Sequence, residues 1–169
     1  WDERSSQRVD YFVAISNYIK NRIEKHYRRS SAVIYPPVNT DFFQLSYKSE
    51  DYFLVVSALF PYKRIDLAIS AFNVLKYPLV IIGEGPEEKN LKNIAARNII
   101  FLPWQSKEKL KEYYSNCRAL IFPGEEDFGI VPVEAQACGK PVIAYAKGGA
   151  KETVEGVLVS EEHQKLQKS

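Results

Sequence analysis

Two glutamates, Glu126 and Glu134, separated by seven residues, lie in the stretch FPGEEDFGIVPVEAQACGKP at residues 122–141. A carboxylate pair can exchange protons as acid and base, or it can accept hydrogen bonds from hydroxyls, with a vicinal diol of a sugar or ribose donating two to one carboxylate. Pro132 is tolerated only in the first turn of a helix, and Gly139 followed by Pro141 marks its end, so the spacing predicts a short helix over about residues 130–138. That prediction puts Glu134 in or near the first turn and Glu126 on the loop before it, with the backbone N–H groups of Phe128, Gly129, Ile130 and Val131 between them. The blander alternative has Glu134 matching the helix dipole and Glu126 in solvent.

Two cations qualify that pair. Lys63 and Arg64 are predicted at the start of another helix, where partial positive charge on the backbone makes a cation cost roughly 0.3–1 kcal/mol. Cations and a helix N-terminus together suit a diphosphate, with arginine supplying a planar fork and lysine a point charge; the alternative is that both side chains reach water. Gly83-Glu84-Gly85-Pro86 resembles a nucleotide-binding turn but lacks the third glycine of the dinucleotide fingerprint, and a plain tight turn explains it as well. The Gly148-Gly149-Ala150-Lys151-Glu152 segment carries similar weight, because paired glycines permit close backbone approach to a ligand or simply a turn. His26 on a basic helix and His163 in the polar tail are expected to be solvated, and no acidic pair of the Asp-x-Asp kind offers a metal site.

The elements that would hold these residues alternate in type. Residues 10–16 favour a strand, and Asn17 offers an N-cap for a helix running to about Arg29 with Ile19, Ile23 and Tyr27 on one face. Its basic residues, Lys20, Arg22, Lys25 and Arg28, suit either a solvated face or contact with an anionic membrane surface. Residues 32–35 form a short strand stopped by Pro36 and Pro37, and residues 39–48 read as a loop. The apolar run at 52–57 reads as a strand covered on both faces, followed by a helix from near Arg64 with Ile65, Ala68, Ile69, Phe72 and Leu75 inward. Strands at 79–82, 99–102, 119–122 and 142–145 then alternate with helices at 87–96, 107–116 and 130–138, and another helix is expected to start within 152–155. This alternation means a doubly wound parallel α/β sheet with helices on both faces, binding its ligand at the carboxyl ends of the strands. The loops on that edge are 60–64, 83–86, 103–106, 124–129 and 146–151.

Composition limits the function classes. The 169 residues carry a net charge of +2, which predicts no strong attraction to nucleic acid, and 46% hydrophobic residues with 26% charged suit a globular domain. Cys117 and Cys138 lack metal-ligand or disulfide-scaffold spacing, so a reduced, cytoplasmic protein is expected. No run approaches the ~20 apolar residues of a membrane span. The chain has no methionine, so Trp1 is not expected to be a natural start and the sequence is expected to be a piece of a longer protein. Residues 1–9 read as an interdomain connector, 10–160 as one domain and 161–169 as a polar tail.

EDFGIVPVEAQACGKPVIA resembles the signature of retaining glycosyltransferases of family 4, in which two glutamates separated by seven residues precede and enter a helix of the donor-binding domain. AISNYIKNRIEKHY, VIYPPVNTDFF, VVSALFPYKRIDLAISAF, VIIGEGPE and PVIAYAKGGAKETV are each similar to family segments in the right order, most of all to GDP-mannose-dependent mannosyltransferases of the polysaccharide and O-antigen type. The resemblance implies the C-terminal, Rossmann-like half of a GT-B enzyme that binds a nucleotide-sugar donor and uses neither cofactor nor metal. It further implies that Glu126 meets the donor-sugar hydroxyls, Glu134 the ribose and Lys63 the leaving diphosphate. The backbone of Phe128, Gly129, Ile130 and Val131 would face sugar and diphosphate, and Gly83, Glu84 and Gly85, with the loop at 103–106, would border the base. The family usually has an arginine five residues before the lysine, where this chain has Ala58; either Arg64 substitutes or donor affinity is lower. The acceptor site would lie on an N-terminal domain outside this chain, leaving the fragment inactive alone, and the intact enzyme is expected at the inner face of the membrane. A nucleotide-binding or regulatory module without transferase activity is the alternative, with Ala58 its best support; a dinucleotide-dependent dehydrogenase is disfavoured by the missing glycine.

Overall fold

A computed structural model describes residues 2–160. The chain begins with α1 (Asp2–Ser6), where a connector is expected from sequence, and continues through β1 (Val13–Ala14), α2 (Asn17–Tyr27) and β2 (Ala32–Val33). β1 and β2 pair in parallel as a small sheet of their own. The main sheet follows: β3 (Phe53–Val56), α3 (Ile65–Leu75), β4 (Leu79–Ile82), α4 (Glu88–Ile94), β5 (Ile99–Leu102), α5 (Lys107–Asn116), β6 (Leu120–Phe122), α6 (Ile130–Ala137), β7 (Val142–Tyr145), α7 (Ala150–Thr153) and β8 (Val157–Val159).

The six strands of this sheet lie in the order β5-β4-β3-β6-β7-β8, every neighbouring pair parallel. Numbered from β3, that is 3-2-1-4-5-6, the doubly wound order in which the strand order reverses between the first and fourth strands. The reversal falls between β3 and β6. These strands pair at one register position, Leu54↔Leu120, whereas β3 and β4 pair over four, from Phe53↔Leu79 to Val56↔Ile82. The seam between β3 and β6 is therefore loosely closed toward its carboxyl end, where a doubly wound sheet accommodates a ligand.

Period-two side-chain alternation divides the core. Leu54, Val56, Val80 and Ile82 pack on one face with Leu110 and Tyr114 of α5 and Ala135 of α6. Val55, Leu79 and Ile81 pack on the other with Ile65, Ala68, Ile69 and Phe72 of α3 and Leu91 of α4. Leu75, expected inward, is 55% exposed because α3 ends there, with Lys76 capping it in a left-handed conformation. The loop at 39–48 supplies a core residue that its sequence does not announce: Phe43 is buried edge-on against Tyr114. The strand β8 is also unannounced, being three residues long and half-buried at the sheet edge. The tail at 161–169 lies outside the described residues.

Candidate functional site

At the β3/β6 seam, Lys63 Nζ lies 2.6 Å from Glu126 Oε1, with the two side chains 14% and 24% exposed. Each comes from the loop following one of the seam strands. The β3 loop is not the helix start that sequence predicts: Pro61–Lys63 form a 3-10 turn, and Arg64, at φ 52°, breaks the chain direction before α3. That left-handed residue sends the adjacent cations apart. Lys63 turns into the seam, while Arg64 pairs with Asp66 of its own helix, its Nε 3.1 Å from Oδ1 and its Nη2 3.2 Å from Oδ2. The β6 loop approaches so closely that a Cβ on Gly124 would stand 2.8 Å from the Lys63 carbonyl oxygen, which is the reason glycine occupies that position.

The acidic loop Glu125-Glu126-Asp127 is held from several elements. Tyr18 of α2 donates its hydroxyl to Glu125 Oε1 at 2.7 Å, and Arg22 of α2 pairs with Asp127 at 3.0 Å. Ser16, the N-cap of α2, accepts from the Ile19 N–H and donates its own hydroxyl to the Asp127 carbonyl at 2.6 Å. Sequence places the cap at Asn17; it falls one residue earlier. Behind the loop, the Gly149 N–H donates to the Glu126 carbonyl at 2.7 Å, and a side chain at Gly148 or Gly149 would run into the backbone of residues 126–128. The paired glycines thus serve loop-to-loop packing. Glu152 closes this frame by accepting from the N–H groups of Asn17 and Tyr18 and from the Tyr35 hydroxyl, at 2.8, 2.8 and 3.1 Å. Burial pushes its carboxyl up, but these hydrogen bonds outweigh burial and hold it below the usual range.

Two adjoining hollows open here. One of about 500 Å³ is lined by Lys63, Glu126, Phe128, Gly129 and Ile130 among others. The second, about 740 Å³, is lined by Tyr62, Arg64, Tyr145 and Lys147 together with the same acidic loop. Gly129, at φ 86°, begins α6 with no side chain capping it, so no cap side chain satisfies the first-turn N–H groups of that helix. Lys63, Glu126, Phe128, Gly129 and Ile130 are therefore brought together, with Arg64 on the neighbouring wall.

The remaining candidates lie elsewhere. Glu134 is the fifth residue of α6, just past its first turn as expected, and lines neither hollow. It accepts from the hydroxyl of the fully buried Tyr114 at 3.0 Å. Burial raises its pKa, and the Tyr114 hydrogen bond and nearby Lys107 partly oppose that rise. Val131 packs its side chain against the core. Gly83 and Gly85 press on the β3 loop: a Cβ on Gly83 would run into the Ser57 carbonyl, and one on Gly85 would stand 2.5 Å from the Leu59 carbonyl oxygen. Glu84 accepts from the Trp104 N–H at 3.2 Å, which ties the 83–86 loop to the 103–106 loop. Cys117 and Cys138 are free and fully buried, and burial pushes the Cys117 thiol up to about 12, so neither suits nucleophilic chemistry. Among the described residues, no group of three or more His, Cys, Asp or Glu side chains is arranged to hold a metal ion, and no helix is long and apolar enough to cross a membrane.

Residues 38–164 match the family described as glycosyl transferases group 1. The chain belongs to that family. An uncharacterized glycosyltransferase of Methanocaldococcus jannaschii, MJ1178, is 34% identical over 152 residues, covering 86% of this chain and 42% of the relative. The O-antigen chain mannosyltransferase RfbU of Salmonella typhimurium is 34% identical over 151 residues, 82% of this chain and 43% of the relative. This group 1 chain thus spans less than half the length of either curated relative. The Anabaena Alr3699/HepE structure in complex with UDP-glucose superposes with a TM-score of 0.82 at 22% identity, over 95% of this chain and 52% of that one. The fold is accordingly the Rossmann-like unit of a GT-B glycosyltransferase.

Ser16 and Tyr18 hold the acidic loop and were not singled out by sequence reasoning, which read Arg22 only as part of a basic helix face and Glu152 only as part of a glycine-rich segment. One signal existed: adjacent carboxylates at 125–127 repel one another and need partners from outside their loop.

Proposed function

We propose that this chain is the donor-binding domain of a retaining glycosyltransferase that transfers a hexose, mannose from GDP-mannose, to a glycan or lipid-linked acceptor. The observation that carries the reading is the Lys63–Glu126 pair at the seam where the doubly wound sheet reverses. Lys63 offers a cation to the leaving diphosphate, and the uncapped start of α6 adds N–H donors beside it, an electrostatic contribution of up to a few kcal/mol to the departing charge. Glu126 accepts from donor-sugar hydroxyls. Glu134 holds the ribose through the carboxylate edge that Tyr114 leaves open. Lys63 supplies the charge that a metal would otherwise provide, so the reading uses no metal and no cofactor. The RfbU likeness favours mannose.

A UDP-sugar donor is the second reading, favoured by the UDP-glucose bound in the Anabaena neighbour. Acceptor binding and completion of the active site fall to an N-terminal domain of the same enzyme, working in the cytoplasm at the inner membrane face, where the exposed cations Lys20, Lys25 and Arg28 of the α2 region would favour anionic lipid. Ala58 is exposed and Arg64 is engaged by Asp66, the combination that would suit a binding module without transfer.

Calorimetric titration of the chain with GDP, UDP and ADP sugars tests the reading. Weak binding with GDP-mannose preferred is expected; preference for UDP-glucose selects the second donor, and no binding by any of them overturns the donor-domain assignment. Transfer by the full-length enzyme separates an enzyme from a binding module. Glu134→Ala should weaken nucleotide binding about tenfold or more, as loss of a charged hydrogen-bond acceptor would require.

A further inference from the structure

We infer that the Lys63–Glu126 ion pair makes the site discriminate between an intact nucleotide-sugar and the bare nucleoside diphosphate left after transfer. The inference rests on the proposed donor site. Each member of the pair is the other's partner at 2.6 Å, and both side chains are largely withdrawn from water. A diphosphate that takes Lys63 removes the cation from Glu126 and sets its own negative charge beside that carboxylate. Separating a partly buried pair and leaving one member uncompensated is costly. A nucleotide-sugar offsets the cost because its hydroxyls donate to the vacated Glu126, whereas a bare diphosphate has no such donors.

The loop geometry lets this exchange occur in place. Of the acidic side chains at 125–127, Glu125 is bonded to Tyr18 and Asp127 to Arg22, both on α2, and only Glu126 is paired across the seam. The backbone around Glu126 is tied by Gly149 and Ser16, so Lys63 can leave without releasing the loop. Sugar and diphosphate therefore bind cooperatively, each favouring the state that the other needs, and the product is held less well than the donor.

The test is calorimetric titration of the chain and of its Glu126→Gln variant with GDP and GDP-mannose, and with UDP and UDP-glucose. The isosteric amide frees Lys63, so the nucleoside diphosphate should bind about five- to tenfold more tightly, while the nucleotide-sugar gains nothing or weakens; the preference for donor over product narrows accordingly. The same substitution in a Lys63→Met background separates this coupling from a general loss of negative charge. If Glu126→Gln tightens the diphosphate equally in both backgrounds, or leaves it unchanged in the native background, the inference is overturned while the donor site stands. If wild-type protein binds neither nucleotide-sugar nor diphosphate, both fall together.

Discussion

Replacing Tyr114 with phenylalanine deletes one hydroxyl from the centre of the core. Tyr114 is fully buried, packs edge-on against Phe43, and donates to Glu134 Oε2 at 3.0 Å. The ring remains after substitution, so the packing loss is small and the change reports mainly on the hydrogen bond. A hydrogen bond to a charged group contributes about 1.5–3 kcal/mol, against about 0.5–1.5 kcal/mol for a neutral pair. At about 2–4 °C per kcal/mol for a chain of this length, the variant should melt roughly 3–12 °C lower near neutral pH. The sign of the pH dependence follows from Glu134. Burial raises its folded-state pKa above the unfolded value, so its ionisation already costs stability as pH rises through that pKa. The Tyr114 hydroxyl opposes the rise; without it the pKa climbs further and ionisation costs more. The deficit of Tyr114→Phe should therefore be largest above the Glu134 pKa and shrink as pH falls below the ordinary glutamate range, near pH 4. Thermal unfolding at both pH values, followed by circular dichroism, measures it. In a Glu134→Gln background the deficit should drop by about 1 kcal/mol, because the lost bond is then neutral. An equal deficit at both pH values and in both backgrounds would refute the hydrogen bond and assign the effect to packing.

Glu152 should show the ordinary carboxylate sign. Its folded-state pKa is lowered, so it contributes stability above the unfolded pKa that is lost as pH falls through the folded one; Glu152→Gln should cost about 0.5–1 kcal/mol at neutral pH, discounted for its exposure, and progressively less as a melt series is taken below the ordinary glutamate range. Gly83→Ala should destabilise by at least on the order of 1–3 kcal/mol, since φ is 147° and the new methyl meets the Ser57 carbonyl. Gly139→Ala, at φ 76° with Leu45 Cδ2 as its nearest neighbour, should cost about 1 kcal/mol, and a denaturant midpoint for Gly139→Ala below that for Gly83→Ala would contradict the backbone-contact argument.

The sheet was legible because its strands are continuous apolar runs. Leu79–Ile82, Ile99–Leu102 and Val142–Tyr145 fall where the sequence puts them, as does α5 at Lys107–Asn116, whose N-cap is Ser106. That the strands run parallel follows from their alternation with helices, whereas their order comes from the structure. The site was legible in its parts, with Lys63 and Glu126 named as candidates, but their pairing depends on the Arg64 backbone, and arginine in a left-handed conformation leaves no mark in a sequence. The same cause misdirects Arg64 itself, which is adjacent to Lys63 in sequence yet faces Asp66. The glycines left two readings open. Gly83, Gly85, Gly148 and Gly149 permit close approach, as expected, but what approaches is another stretch of backbone. A single sequence cannot distinguish those two uses, because both require only that Cβ be missing.

The acidic loop shows how the fold can present an exchangeable carboxylate without becoming loose. The ion pair between Arg22 and Asp127 is more than half exposed on both sides, so it contributes about 0–1 kcal/mol and holds the loop weakly. The firm ties run to the main chain: Ser16 to the Asp127 carbonyl and Gly149 to the Glu126 carbonyl, both shorter than 3 Å and backed by buried residues. They fix the loop through main-chain carbonyls that already have partners within the fold. In the proposed exchange, Glu126 changes its side-chain partner while its backbone keeps the neighbours it has here. The donor site proposed above, which would hold a charged donor and afterwards release a charged product, rests on that separation, with position set by the main chain and affinity by one side-chain contact.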